Sequence, residues 1–123
     1  MKETLAYLSD KSPFYQRLFV ENDIDINEIR TLEDLKRIPV TTKRDLQLHG
    51  AEFCCVNPSE IIYYSTTSGT LGDPVTFTET EGDLQHLAYN EQLSFQTAGC
   101  TRDDIMQEMV TIDRRFMAGL AYF

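Results

Sequence analysis

A cluster of hydroxyl side chains and glycines between two strand-like segments places the strongest constraint on this chain. The run Ile61-Ile62-Tyr63-Tyr64 is β-branched and aromatic, which favours a strand. Five hydroxyl residues follow within positions 65–70. Gly69 and Gly72 permit positive φ angles and a close approach of a ligand to the backbone. Because hydroxyls and backbone amides concentrate hydrogen-bond donors there, the cluster is typical of a loop that binds an anion such as phosphate.

The same cluster has a simpler interpretation as a hairpin connection. Pro74–Thr78 alternates in the manner of a second strand, which predicts a β-hairpin with a long connecting loop at 64–74. The loop has no lysine where the GxxxxGK[ST] pattern requires one, and its glycines do not follow the GxGxxG spacing of dinucleotide sites. The residues alone leave both interpretations open.

Short helical patterns fill the first fifty residues. Serine and threonine residues that can cap a helix precede each apolar pattern, and prolines and glycines mark the ends. Three helices are expected: one from Ser12-Pro13 to near Asn22, one over Leu32–Arg37 opened by Thr31 and stopped by Pro39, and one capped by Thr41 or Thr42 and ended by Gly50. They form an N-terminal helical segment, residues 1–50.

The second segment, residues 51–123, combines strand-like and helical patterns. After the hairpin we expect a helix over about Thr80–Ala98, a strand over Asp104–Ile112 and a buried helix over Phe116–Phe123. The predicted fold class is therefore α/β, with short N-terminal helices followed by strand–loop–strand, helix, strand and helix. Phe116–Phe123 is apolar with no helix-ending signal, so we expect the chain to be a fragment whose missing part covers it.

Charge and composition indicate which partners to exclude and which cellular compartment to expect. The net charge of −9 argues against a nucleic-acid backbone or an anionic membrane as partner. No segment has the apolar length of a signal peptide core or a membrane span, which predicts a soluble cytoplasmic protein. Cys54, Cys55 and Cys100 are expected to be reduced, and no spacing typical of a metal site occurs.

The order of the motifs resembles a known family. The run 67–74 resembles the [ST]SGTTGxP phosphate loop of adenylate-forming enzymes, the acyl-CoA synthetase superfamily. Three further segments resemble its phenylacetate–CoA ligase branch: 12–15, 31–35 with 38–43, and 104–105 with 113–120. The similarity spans nearly the whole chain in the correct order, so it implies the N-terminal quarter to third of such a ligase, an incomplete adenylate-forming domain.

The resemblance implies a reaction in two steps. A carboxylic acid, aromatic by default and such as phenylacetate, attacks the α-phosphate of ATP to give an acyl-adenylate, and coenzyme A then displaces AMP. The residues implied in holding the β- and γ-phosphates, with Mg²⁺ neutralising charge, are Thr66, Thr67, Ser68, Gly69, Thr70 and Gly72. By position, the acid pocket would include Ile112, Asp113, Arg114 and Phe116, although an ordinary charged turn there stays open. No catalytic nucleophile is implied.

Departures from the family pattern leave alternatives open. Leu71 replaces a loop threonine, and Asp73 places a carboxylate beside the phosphate site, which puts tight ATP binding in question. The alternatives are an acyl-protein or cofactor-adenylating synthetase of the same superfamily, or a non-enzymatic binding module. The 123-residue chain alone is expected to be inactive, and a homodimer is allowed.

Overall fold

The computed structural model describes residues 1–67, 73–107 and 109. Its helices and strands are α1 (Lys2–Lys11), α2 (Pro13–Glu21), α3 (Lys43–His49), β1 (Ile61–Thr66), β2 (Thr76–Thr80) and α4 (Glu81–Thr97). Four 3-10 turns join them: Ile26–Glu28, Asp34–Arg37, Gly50–Phe53 and Pro58–Glu60. The predicted α/β fold class is confirmed. Within the described ranges, no helix has the length and apolar character to cross a membrane.

The chain divides into two compact units, Met1–Asn57 and a second that begins at Pro58. The division into residues 1–50 and 51–123 that the sequence favours stays a prediction. Cys54, Cys55 and Cys100 are half-buried and free of disulfide bonds.

Ser12 separates the first two helices and caps the second. Its hydroxyl oxygen accepts from the Tyr15 backbone N–H at 3.4 Å, and Pro13 occupies the first helical position. The same hydroxyl donates to the Glu52 carbonyl at 3.0 Å, which ties the start of α2 to the turn Gly50–Phe53. The predicted start of α2 at Ser12 and its end at Asn22 are confirmed. Helix α1, before Ser12, has no counterpart among the sequence-based expectations.

The core of the first unit forms where α1 and α2 meet the loop that follows them. Leu5, Phe19 and Ile29 are buried, and Ile29 has no exposed surface. Six half-buried apolar residues pack around these three: Tyr15, Leu18, Ile24, Ile26, Leu35 and Ile38. The loop after α2 is thus fixed by its isoleucines, as burial of apolar surface stabilises even irregular segments.

The second unit begins with a β-hairpin that leads directly into a helix. Strands β1 and β2 pair antiparallel, with Tyr64 opposite Thr78 and Thr66 opposite Thr76 at the end of the ladder. The predicted hairpin is confirmed, although β2 begins at Thr76 and not at Pro74. This later start agrees with proline's lack of a backbone N–H for the ladder. Helix α4 follows at once, and Gly99 takes a φ of 92° after it, as the glycine at a helix end often does.

Two expectations are wrong in the described residues. The helix expected over Leu32–Arg37 is a 3-10 turn, Asp34–Arg37. The strand expected over Asp104–Ile112 is absent from 104–107. There the Asp104 carboxylate accepts from the Thr101 backbone N–H at 2.6 Å and holds a turn, and Ile105 is fully exposed. The rest of that strand, and the helix expected over 116–123, lie outside the described residues.

One local motif recurs within the described residues, a threonine followed three residues later by an aspartate. In each copy the carboxylate accepts from the threonine's backbone N–H and hydroxyl, and the threonine hydroxyl accepts in return from a backbone N–H. The four pairs are Thr31 with Asp34, Thr42 with Asp45, Thr80 with Asp83 and Thr101 with Asp104. The pairs at Thr42 and Thr80 are capping boxes of α3 and α4.

These boxes should make the stability of the chain sensitive to acid. The Thr80 backbone N–H, and then its hydroxyl, hold the pKa of the Asp83 carboxyl below its usual value. A carboxyl whose pKa is lowered by folding stabilises the fold above its unfolded pKa, and this contribution is lost as pH falls through the folded pKa. We therefore expect Asp83→Asn to unfold at lower urea concentration than the parent chain at pH 7, with the difference shrinking as the pH falls below the ordinary aspartate pKa of about 3.9.

The control for that experiment is Asp103→Asn, which changes an exposed aspartate whose carboxylate makes none of the box contacts. It should match the parent chain at both pH values. An Asp83→Asn deficit that stays equal at pH 7 and pH 3 would show that the carboxylate's charge does not stabilise the helix start.

Candidate functional site

The hydroxyl-rich segment leaves the sheet at the end of β1. Just beyond the last ladder pair, the Thr67 backbone N–H donates to the Val75 carbonyl at 3.0 Å. In return, the Val75 backbone N–H donates to the Thr67 hydroxyl oxygen, also at 3.0 Å. Val75 is buried, with 3% of its surface exposed. These contacts join the two ends of the connecting loop, so the hairpin pairing extends to the point where the loop begins.

The Thr67 hydroxyl retains its own donor capacity in this arrangement. Its oxygen accepts from Val75, and a hydroxyl that accepts one hydrogen bond can still donate its proton. Thr67 and Thr66 are both half-buried. The structure therefore presents, at the base of the predicted phosphate loop, one hydroxyl that is fixed in place and able to donate to an anion.

The structure describes two of the ten predicted site residues. Thr66 and Thr67 lie within the described part of the chain and come together at the end of the hairpin. Outside the described residues lie Ser68, Gly69, Thr70 and Gly72 of the loop, and Ile112, Asp113, Arg114 and Phe116 of the predicted acid pocket.

A buried pair on the inner face of the hairpin was not expected from the sequence. The Ser65 hydroxyl donates to Glu79 Oε1, and the two residues are 0% and 5% exposed. Ser65 is opposite Phe77 in the ladder, so Glu79 is its diagonal neighbour on the same face. The signal in the sequence was a glutamate at an inward-facing position of an alternating strand, where an apolar residue is usual.

The donor set suits an anion better than a cation. The Thr67 hydroxyl can donate to a phosphate oxygen, whereas the exposed carboxylate of Asp73, which follows the loop in sequence, repels one. Within residues 1–67, 73–107 and 109, no three His, Cys, Asp or Glu side chains come close enough together to hold a metal ion. Thr66 and Thr67 are the predicted phosphate-binding residues that lie within the described part of the chain.

Comparison with known proteins identifies the family that the chain resembles. It is 37% identical over 100 residues to a phenylacetate-coenzyme A ligase of Thermus thermophilus, a match covering 80% of the chain. It is 29% identical over 105 residues to the phenylacetate-coenzyme A ligase of Escherichia coli. The chain resembles phenylacetate-coenzyme A ligases over most of its length. The predicted resemblance is confirmed, although no family model matches the chain.

Solved structures of ligases extend this likeness to the fold. A 2-hydroxyisobutyryl-CoA ligase in the postadenylation state, in complex with 2-HIB-AMP, matches 84% of this phenylacetate-CoA ligase-like chain with a TM-score of 0.72 and 27% identity. The same ligase, in complex with 2-HIB-AMP and CoA, matches 72% with a TM-score of 0.64 and 31% identity. The helices and the hairpin described above therefore match a segment of an adenylate-forming ligase.

The match is partial on the side of the relatives. The chain spans 22% of the Thermus thermophilus ligase and 24% of the Escherichia coli ligase. It spans 22% of the 2-hydroxyisobutyryl-CoA ligase in the postadenylation structure. That the segment is N-terminal within such a ligase stays a prediction.

Proposed function

We propose that the chain is part of an ATP-dependent ligase that joins a carboxylic acid to coenzyme A. The observation that carries the proposal is the Thr67 hydroxyl, fixed by Val75 at the base of the loop, in a chain 37% identical to a phenylacetate-coenzyme A ligase over 100 residues. The reaction consumes ATP in two steps: the acid displaces pyrophosphate to form an acyl-adenylate, and the thiol of coenzyme A then displaces AMP to form a thioester.

The role of the described residues is to bind and orient phosphate. Thr67 would donate its hydroxyl proton to a phosphate oxygen, and Thr66 would lie beside it at the end of the ladder. Ser68, Gly69, Thr70 and Gly72 would complete the phosphate loop, and Mg²⁺ would neutralise phosphate charge when bound. Since no covalent enzyme intermediate is required, the protein's contribution is positioning and charge stabilisation.

The proposed substrate is an aromatic acid such as phenylacetate, with a pocket that includes Ile112, Asp113, Arg114 and Phe116. The relatives in the comparison support an acid of this class. A small hydroxy acid is a second candidate, favoured by the likeness in fold to a 2-hydroxyisobutyryl-CoA ligase at a TM-score of 0.72. The proposal also carries a cytoplasmic location and excludes a nucleic-acid partner, in keeping with the net charge of −9.

The test is exchange of labelled pyrophosphate into ATP by the complete ligase of which we propose that this chain is a part. We expect exchange to depend on added acid, with phenylacetate, benzoate, 2-hydroxyisobutyrate and acetate as the panel, and AMP release to depend on coenzyme A. Acid-dependent exchange without coenzyme A-dependent AMP release would replace the proposal with transfer of the acyl group to another acceptor.

The 123-residue chain by itself should not turn over. It spans 22% of the Thermus thermophilus ligase and so contains only part of the proposed site. We expect no acid-dependent pyrophosphate exchange from the purified chain under conditions in which the complete ligase exchanges readily. Exchange by the chain alone at a comparable rate would show that these residues hold a complete adenylation site.

A further inference from the structure

The buried hydrogen bond between Ser65 and Glu79 stabilises the hairpin less than an apolar pair of similar size would. Both residues are almost fully buried, and they bond each other on the inner face of the strands. The second carboxylate oxygen of Glu79, Oε2, is buried and has no hydrogen-bond partner among the described residues. Burying a carboxylate oxygen that has no hydrogen-bond partner destabilises a fold. Replacing such a pair by two apolar residues of similar volume is neutral or stabilising.

The location of the pair connects it to the proposed phosphate site. Ser65 is the residue before Thr66 and two residues before Thr67, at the end of β1. Glu79 lies on β2, four residues after Val75, and its partner Ser65 lies two residues before Thr67, so the pair crosses the strands near the contacts between Thr67 and Val75. The hairpin end is therefore held at two successive points, one by the Ser65–Glu79 hydrogen bond and one by Thr67 with Val75.

We infer that Glu79 is a positioning residue, which holds Ser65 and thereby fixes the Thr67 hydroxyl where a nucleotide phosphate can reach it. This inference rests on the proposed function. Glu79 does not touch the phosphate itself, because a carboxylate repels it. A bond between a hydroxyl and a carboxylate is shorter and stronger than one between neutral groups, which suits a contact that must keep a strand end in register. Positions that cost stability in this way are common where a site must be preorganised.

A metal-binding role and a purely structural role both fit the pair less well. A metal ion on Oε2 is disfavoured because that atom is buried and leaves no surface for an ion to approach. A role in folding alone is disfavoured because an apolar pair would serve the fold at least as well. Positioning is the role that accounts for a buried glutamate with an unpartnered oxygen near Thr67.

The decisive variant is the double replacement Ser65→Ala with Glu79→Val, which removes both partners and leaves no unmet polar group. Valine suits a buried position in a strand. We expect the double variant to be as stable in urea as the parent chain or more so. In the complete ligase, we expect its KM for ATP to rise about tenfold, the usual effect of losing a charge-assisted contact on which the site depends.

One single variant and one control test whether the effect comes from the Ser65–Glu79 hydrogen bond. Glu79→Gln keeps an oxygen that accepts from Ser65 but makes the bond neutral, so its KM for ATP should lie between those of the parent and the double variant. Glu81→Gln, an exposed glutamate in the first turn of α4, should behave as the parent. A double variant with the parent KM for ATP would overturn the inference and reduce the pair to a structural contact.

A second measurement works on the 123-residue chain and needs no activity. The Thr67 amide donates to the Val75 carbonyl at 3.0 Å, so its hydrogen exchange reports how firmly the hairpin end is held. We expect about tenfold faster exchange at Thr67 in the double variant, with Glu81→Gln unchanged. Unchanged exchange at Thr67 would overturn the inference. Faster exchange together with an inactive complete ligase would instead uphold the positioning and reject the proposed function.

Discussion

Replacing Phe14 by alanine is expected to lower the free energy of unfolding of the first unit by about 3–5 kcal/mol, the usual cost of truncating a buried phenylalanine. Phe14 is 5% exposed, and its ring stacks on that of Phe53 with the centroids 4.0 Å apart. Tyr15 packs edge-on against it, and the Arg17 guanidinium lies 5.6 Å from its centroid. Alanine would leave a cavity that a unit fixed by its capped helices cannot readily fill.

The loss should be larger than that from removing any single surface contact near Phe14. Glu52 accepts from Arg17 and lies with Oε1 2.9 Å from His49 Nδ1, so the charged groups around the ring also hold the turn Gly50–Phe53 against α2. The hydrogen bonds with His49 and then Arg17 lower the pKa of the Glu52 carboxyl. These groups are partly exposed, and solvent screens their contribution.

Urea unfolding followed by circular dichroism would measure the change in Phe14→Ala. Val20→Ala is the matched control, because it truncates an apolar side chain on the same helix that is 78% exposed. The control should stay within about 0.5 kcal/mol of the parent chain. A Phe14→Ala chain as stable as Val20→Ala would show that the ring cluster does not hold the first unit together.

Local signals in the sequence predicted the parts of the fold that local chemistry determines. Ser12-Pro13, Thr42 and the strand-like run before the hydroxyl cluster all mark elements that the structure contains at those positions. The Ser12 and Thr42 hydroxyls that give the signal also accept the capping hydrogen bonds of α2 and α3, and the β-branched and aromatic run favours the extended backbone that pairs in the ladder. Capping and turn chemistry act over three or four residues, so a single sequence carries them in full.

The errors fall where long-range contacts decide. The Thr31–Asp34 box forms as its sequence indicates, yet only a 3-10 turn follows it. The β-branched and apolar run after Asp104 satisfies a strand pattern, but a strand also needs a neighbour to pair with, and residues 104–107 have none among the described strands. Strand propensity reflects packing against neighbours more than a preference of the backbone.

In the candidate site, too, the residues marked by local sequence were predicted and the long-range contact was not. Thr66 and Thr67 were predicted from residue type and from the resemblance to ligases, and the structure places them at the base of the loop. The contact between Ser65 and Glu79 joins residues 14 positions apart and depends on the register of the hairpin. Register is not determined until the strands pair, so the sequence could show a misplaced glutamate but not its partner.

Replacing Thr67 by valine is expected to lower acid-dependent pyrophosphate exchange of the complete ligase by roughly 10- to 100-fold. Valine has nearly the shape of threonine, but it removes the hydroxyl that we propose donates to a phosphate of ATP. It also removes the acceptor for the Val75 backbone N–H, now bonded at 3.0 Å. The loss should appear mainly in kcat/KM for ATP, because the contact is to the nucleotide and not to the acid.

Two control variants accompany Thr67→Val. Thr67→Ser keeps the hydroxyl and should retain most of the exchange activity. Thr78→Val makes the same chemical change at an exposed position of β2, away from the loop, and should leave the exchange rate as it is. If Thr67→Val and Thr78→Val exchanged pyrophosphate at the same rate, the hydroxyl would have no part in binding ATP. The end of the hairpin would then be a structural connection whose resemblance to a phosphate loop carries no function at Thr67.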